Sequence, residues 1–224
     1  MKGRRTEVFA VIPVKSLDKA KSRLSSFLKA AERKELCLKM LEDVLMTVKS
    51  VKSITQTVVV GNDLEVLHAA EKFDIEYLEE RRDGLNQAVS QAIDWCCKRG
   101  ASSVLVLPID IPLVTPVDLE KMLALREKAS MVISPSRSGE GTNTLLLTTP
   151  HVTPTFYGPQ SFHRHLEEAS KRGISFSCHG SERVALDIDT IEDLIDFILA
   201  DAKETNAYKL LDKAGIPNKL NIRF

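Results

Sequence analysis

Asp110 lies between two prolines, in Pro108-Ile109-Asp110-Ile111-Pro112, directly after the most hydrophobic short run of the chain, residues 103–107. Packing explains a carboxylate poorly at that place. A hard oxygen ligand held by rigid flanks suits Mg²⁺, which takes one or two carboxylates and completes its shell with substrate phosphates. The competing reading is a turn aspartate bonding its own backbone. Asp187 and Asp189 stand two apart, and in an extended segment alternate side chains share a face. Two like charges on one face repel, which a divalent cation relieves, with Asp110 able to complete the set. Acids also favour the first turn of a helix, and Asp189 beside Thr190 fits that reading as well.

Four cations, Lys15, Lys19, Lys21 and Arg23, follow the apolar run 8–14. Such a loop can hold a triphosphate. A solvated basic turn explains each of them equally well, except Lys15, which follows the strand end directly. Two further stretches, Gly139 to Thr144 and Gly158-Pro159-Gln160-Ser161, offer backbone N–H groups and hydroxyls, and Ser161 opens a helix whose N-terminus can bind an anion. Asp83-Gly84-Leu85-Asn86 also opens a helix, for nucleotide contact or for capping. Several chemistries lack their residues. There is no G-x-x-x-x-G-K-[ST] loop and no G-x-G-x-x-G, and no G-x-S-x-G elbow. His163 and His165, two apart on a helix, fall on different faces and make a poor zinc pair.

The elements that position these residues alternate in type. Valine- and isoleucine-rich runs at 8–14, 54–60 and 103–107 read as buried parallel strands. Weaker strands are expected at 75–78, 131–134, 143–148, 174–178 and 185–189. Helical stripes occupy 31–50, 64–73, 85–96 with Gly100 ending the helix, a stretch from Pro116, 161–172 and a last one capped by Thr190 with Asp193 three residues on. This alternation predicts an α/β domain, three layers α/β/α around a mainly parallel mixed sheet. Ligands of such sheets sit beyond the carboxyl ends of the strands, which is where Lys15 and Asp110 fall.

The 224 residues suit one domain, 1–224, with the segment 203–224 as a packing or oligomerisation extension. Lysine plus arginine number 31, as do aspartate plus glutamate, so no global field draws a nucleic acid or an anionic membrane. Four cysteines without paired spacing read as reduced, buried thiols. No apolar run approaches the ~20 residues that span a bilayer, and a cytoplasmic protein is expected. A homodimer is expected as the commonest symmetric assembly.

Taken jointly, VIPVKSLDKAKSRLS, DGLNQAV, LPIDIPLVTPVDL, GTNTLLL, FYGPQSFHRHLEEA and LDIDTIEDL resemble, in order and spacing over about residues 8 to 195, the 2-phospho-L-lactate guanylyltransferase family of coenzyme F-420 biosynthesis. The resemblance implies a nucleotide-diphospho-sugar transferase-like fold and GMP transfer from GTP. The acceptor would be 2-phospho-L-lactate or, in some relatives, phosphoenolpyruvate or 3-phosphoglycerate. It places Asp110, Asp187 and Asp189 on the metal acids, with Mg²⁺ as cofactor, and Lys15, Arg23 and Asp110 on the catalytic groups. Pro13, Val14, Lys15, Gly84 and Asn86 fall on the nucleotide site. Thr142, Asn143, Thr144, Gly158 and Ser161 fall on the acceptor pocket. Many relatives carry glycine where this chain has Ile109 and Gln160. Competing readings are a nucleotidyltransferase for another base or acceptor, a glycosyltransferase with Asp187-Ile188-Asp189 as its D-x-D, and a nucleotide-binding module without catalysis.

Overall fold

The computed structural model describes residues 7–148, 153–200 and 202–221. One seven-stranded sheet in the order β3-β2-β1-β4-β6-β5-β7 forms the middle layer. Its strands are β1 (Val8–Pro13), β2 (Ile54–Gly61), β3 (Glu76–Glu79), β4 (Ser103–Val106), β5 (Met131–Pro135), β6 (Thr142–Leu147) and β7 (Phe176–Cys178). Pairings β1–β2, β1–β4, β2–β3 and β5–β7 are parallel, and β6 runs antiparallel to both β4 and β5. The expected mainly parallel mixed sheet is therefore present.

Strand β1 shows why it is central. Val8, Ala10 and Ile12 join one apolar cluster, Phe9 and Val11 the other, and all five are buried, the continuous apolar pattern of a strand covered on both faces. Helices α1 (Ala30–Ser50), α2 (Leu64–Lys72) and α4 (Pro116–Ala124) cover the first face, and α3 (Leu85–Lys98) and α5 (Ser161–Lys171) the second. On α1 the buried set Leu36, Met40, Leu41, Val44, Leu45 and Val48 repeats at three to four residues, one stripe against the sheet; each such leucine contributes about 1.5–3 kcal/mol. Helix α4 starts as its sequence predicts, with Pro116 in the first turn and a capping box between Thr115 and Asp118.

The expected strand at 185–189 is not one. A short helix, α6 (Glu182–Ala185), ends there, and the following stretch hangs on the loop after β4 through the Ile188 N–H bond to the Asp110 carbonyl at 2.9 Å. Helix α7 (Ile191–Leu199) then begins with the Thr190–Asp193 capping box. The final helices, α8 (Asn206–Lys213) and α9 (Ile216–Lys219), pack on the chain itself: Leu211 and Ile216 enter the core beside α1, and the Asp43 carboxylate of α1 accepts from the Asn206 and Ala207 amides at 2.7 and 2.9 Å. Residues 222–224 of the expected extension lie outside the described ones. All four cysteines are free, but only Cys37 and Cys96 are buried, while Cys178 is exposed on the edge strand β7. No helix among the described residues is long and apolar enough to cross a membrane.

Candidate active site

A cleft of about 620 Å³ opens where β1 and β4 end and antiparallel β6 begins, a volume within the usual range for small-molecule sites. The loop leaving β1 reaches it because Gly61 has no side chain: a Cβ there would lie 2.6 Å from the Val14 carbonyl oxygen. Two one-turn 3₁₀ helices, Leu17–Lys19 and Ser22–Leu24, fold this loop, and between them Lys21 takes left-handed backbone angles (φ 50°). Its side chain is only 8% exposed and its Nζ lies 2.8 Å from both Asp110 and Asp189. Burial opposes the Lys21 charge, but the two carboxylates outweigh it and raise the ammonium pKa.

Asp187 completes a local excess of negative charge. Burial, then the neighbouring Asp110, raise its pKa, and hydrogen bonds from Asn143 Nδ2 at 3.1 Å and from its own backbone amide work the other way. Three carboxylates thus face one ammonium. They line one cleft, but Lys21 stands between two of them. No three His, Cys, Asp or Glu side chains among the described residues are grouped so as to enclose a metal ion by themselves. Cys37 lies at the same cleft, its thiol pushed up to about 11 by burial and so protonated at neutral pH.

The opposite wall is set by an irregularity. Ser134 pairs with Thr144 but Pro135 with Thr142, so β6 carries one extra residue at Asn143. A bulge of this kind reverses which face the following side chain takes. Thr144 stays on the Leu146 face, fully buried with its hydroxyl on Met122 Sδ, whereas Thr142 turns to α5 and places its hydroxyl 3.1 Å from His165 Nδ1. His165 Nε2 accepts from the Phe156 amide at 2.9 Å. Asn86 holds the next residue from both sides, donating to the Tyr157 carbonyl (2.9 Å) and accepting from its amide (2.7 Å). Asn143 itself donates to the Val184 and Ala185 carbonyls of α6. That helix is tied to α4 by Arg183, whose Nε and Nη2 meet Asp118 at 2.7 and 2.9 Å.

Pro13, Lys15, Asp110, Thr142, Asn143, Gly158, Ser161, Asp187 and Asp189 all line the cleft. Five other candidates do not. Arg23 is exposed on the second 3₁₀ turn. Val14 is buried under the loop with its amide on the Val60 carbonyl. Gly84 serves as the N-cap of α3. Asn86 spends its side chain on Tyr157, and Thr144 is core. The α5 N-terminus is also less open to anions than its sequence suggests, because the Ser161 and Phe162 amides already meet the Gly158 and Glu140 carbonyls. Lys21, His165 and Tyr157 are the groups that sequence reasoning missed. The Tyr157 hydroxyl is buried without a partner among the described residues, and burial raises its pKa.

The family model for "Guanylyl transferase CofC like" matches residues 8–221. The 2-phospho-L-lactate guanylyltransferase of Methanocaldococcus vulcanius is 36% identical over 210 residues, covering 93% of this chain and 92% of that protein. The phosphoenolpyruvate guanylyltransferase of Rubrobacter xylanophilus is 38% identical over 188 residues, covering 84% and 91%. Among solved structures, a protein from Desulfovibrio desulfuricans G20 described as a nucleotide-diphospho-sugar transferase superposes with a TM-score of 0.77 at 15% identity, over 96% of this chain and 98% of that one. The 4-diphosphocytidyl-2C-methyl-D-erythritol synthase of Anaerococcus prevotii gives 0.64 at 15% identity, over 93% and 97%. These likenesses agree on the fold expected from the strand and helix pattern.

Proposed function

This chain belongs to the CofC-like guanylyl transferase family, and from that membership and its cleft we propose that it transfers GMP from GTP to 2-phospho-L-lactate. The products are lactyl-2-diphospho-5'-guanosine and pyrophosphate, in coenzyme F-420 biosynthesis. The observation that carries the reading is the meeting, at one cleft, of the Lys21–Asp110–Asp189 cluster with the hydroxyl-bearing wall of Thr142 and Ser161. One wall suits a nucleoside triphosphate and its counter-charges, the other a small phosphorylated acid.

A phosphate oxygen of the acceptor attacks the α-phosphorus of GTP; that P–O bond forms as the bond from the α-phosphorus to the bridging oxygen breaks and pyrophosphate leaves with the electron pair. The chain's residues act by position and charge rather than by covalent participation. Lys15 and Lys19, exposed at the cleft mouth, lie where the triphosphate enters. Lys21 holds Asp110 and Asp189 at fixed places. The donor set fits Mg²⁺, since three carboxylates against one ammonium leave a net negative site that one or two carboxylate ligands and substrate phosphates can share with a cation. Asp110, Asp187 and Asp189 would hold it, and when bound it supplies neutralisation of phosphate charge.

A phosphoenolpyruvate acceptor is the second reading, favoured by the relative from Rubrobacter xylanophilus. The test is pyrophosphate release from GTP and Mg²⁺ with 2-phospho-L-lactate, phosphoenolpyruvate or 3-phosphoglycerate offered separately, with ATP and CTP as donor controls. Release with GTP and 2-phospho-L-lactate is expected. Release with phosphoenolpyruvate alone selects the second reading, and GTP binding without release from any acceptor overturns both. A homodimer belongs to the same proposal, and sedimentation at the mass of one chain, 24.9 kDa, overturns that part.

A further inference from the structure

We propose that His165 is a positioning residue which, as a neutral ring protonated on Nδ1, turns the proton of the Thr142 hydroxyl towards an oxyanion of the phosphorylated acceptor. The inference rests on the functional reading above and adds to it a residue outside the ligand-lining set.

The donor and acceptor inventory forces the assignment. A backbone N–H can only donate, so the Phe156 amide at 2.9 Å requires a bare lone pair on Nε2. In a neutral imidazole the single proton then sits on Nδ1. A carbonyl acceptor at Ser161, one turn back on α5, works against burial by favouring a ring proton. The ring is fully buried, and burial lowers its pKa to about 4, so it stays neutral at working pH. Nδ1 carrying a proton has no lone pair to offer Thr142. The Thr142 oxygen, 3.1 Å away, therefore accepts, and its own proton must go elsewhere. That hydroxyl makes no other hydrogen bond among the described residues, and Thr142 lines the cleft.

The consequence is polarity rather than mere contact. A free threonine hydroxyl can turn to donate or accept, and so tolerates alcohols, amides and acids alike. One whose oxygen is engaged by His165 has one lone pair spent and its proton turned to the cleft, which favours carboxylate or phosphate oxygens there. The preference costs no reorganisation when the ligand arrives, because the ring is fixed edge-on against Phe156 and Tyr157 at 5.7 and 5.5 Å between centroids.

The test separates the two ring nitrogens. Asparagine at 165 places an amide donor where Nδ1 stands and gives up the acceptor for Phe156; glutamine places an acceptor where Nε2 stands and gives up the donor to Thr142. His165→Gln is expected to raise the acceptor KM about tenfold or more, the loss of one hydrogen bond to a charged group, with the KM for GTP within about twofold. His165→Asn is expected to bring the acceptor KM back to within about threefold of the native value. Thr142→Val, which is isosteric and leaves the buried ring untouched, is expected to repeat the His165→Gln result. Equal acceptor losses in both His165 variants, or a GTP KM rising in step, would make His165 a scaffold for the 156–158 loop and overturn the proposal. Nitrogen-detected magnetic resonance of the histidine-labelled protein gives a readout without turnover. A proton on Nδ1 and a bare Nε2 at neutral pH are expected, and a proton on Nε2 overturns the assignment. Native protein that releases no pyrophosphate with any acid overturns the functional reading instead, while the resonance still decides the tautomer.

Discussion

Two carboxylate sites in this chain meet cations, and they are wired in opposite ways. Asp118 is closed. Its side chain is 3% exposed, Arg183 takes both oxygens in a fork, and Ser181 Oγ and the Thr115 amide and hydroxyl donate to what remains, at 2.8, 3.0 and 2.6 Å. Burial opposes the charge, but these donors hold the carboxyl well below its ordinary range. The cluster at the cleft is open. One ammonium is divided between Asp110 and Asp189, which remain 24% and 45% exposed, and Asp187 has no ion pair of its own among the described residues. A closed pair has all its hydrogen-bonding capacity spent on holding α6 to α4. An open cluster keeps charge in hand for a ligand. On the function proposed above, the difference separates residues that position the site from residues that act in it.

Asp110→Asn breaks the comparison most sharply if it is wrong. Turnover is expected to fall on the order of 10²–10³-fold, the scale for losing one preorganised charge in an active site. The melting temperature should hold or rise, because the substitution removes repulsion from Asp187 and leaves Lys21 paired with Asp189. A fall in melting temperature without loss of turnover would place Asp110 in the closed class. Asp118→Asn should do the reverse. Leaving Arg183 without its carboxylate costs about 2–3 kcal/mol, the lower end for a broken buried pair because Arg183 is half exposed, or roughly 4–12 °C in a chain of this size. Turnover per folded molecule should stay within a few-fold.

The same variant fixes a pH window. Asp118 has a folded pKa below its unfolded value of about 4. The unfolded state therefore binds the proton first, and the stabilisation is complete above about pH 4 and lost as pH falls through the folded pKa. Urea melts of native and Asp118→Asn protein should differ by a constant amount from pH 5 to 8 and converge below about pH 4. A gap that widens on acidification would mean the carboxyl is not held down by its donors.

How much of this could be read from the chain depended on the distance over which the physics acts. Local rules carried far: the buried run 8–13, the Thr115–Pro116–Asp118 start of α4 and the Thr190–Asp193 box all follow from neighbours in sequence. Asp110, Asp187 and Asp189 were legible because flanking prolines and two-residue spacing mark them without a partner. Lys21 was not, since nothing distinguishes it from Lys15, Lys19 and Arg23 until the left-handed turn brings it to carboxylates 89 and 168 positions away. Thr142 and Thr144 look equivalent by strand alternation, and only the extra residue at Asn143 separates a cleft hydroxyl from a core one. Residues 185–189 carry strand-like spacing but find the Asp110 loop rather than a sheet edge.

The smallest expected effect tests where the closed class ends. Asn86 was a nucleotide candidate from its place at the start of α3, yet both ends of its amide are spent on Tyr157, so it belongs with Asp118 rather than with Asp110. Asn86→Ala removes two neutral hydrogen bonds, each contributing about 0.5–1.5 kcal/mol net, and frees the segment that carries Gly158 along the acceptor wall. Melting should fall by a few degrees, and the acceptor KM should rise about two- to fivefold as that wall loosens, while the KM for GTP stays put. Steady-state kinetics with each substrate varied in turn checks this. A GTP KM that rises while the acceptor KM holds would return Asn86 to the nucleotide, and would show that its side chain exchanges Tyr157 for a ligand.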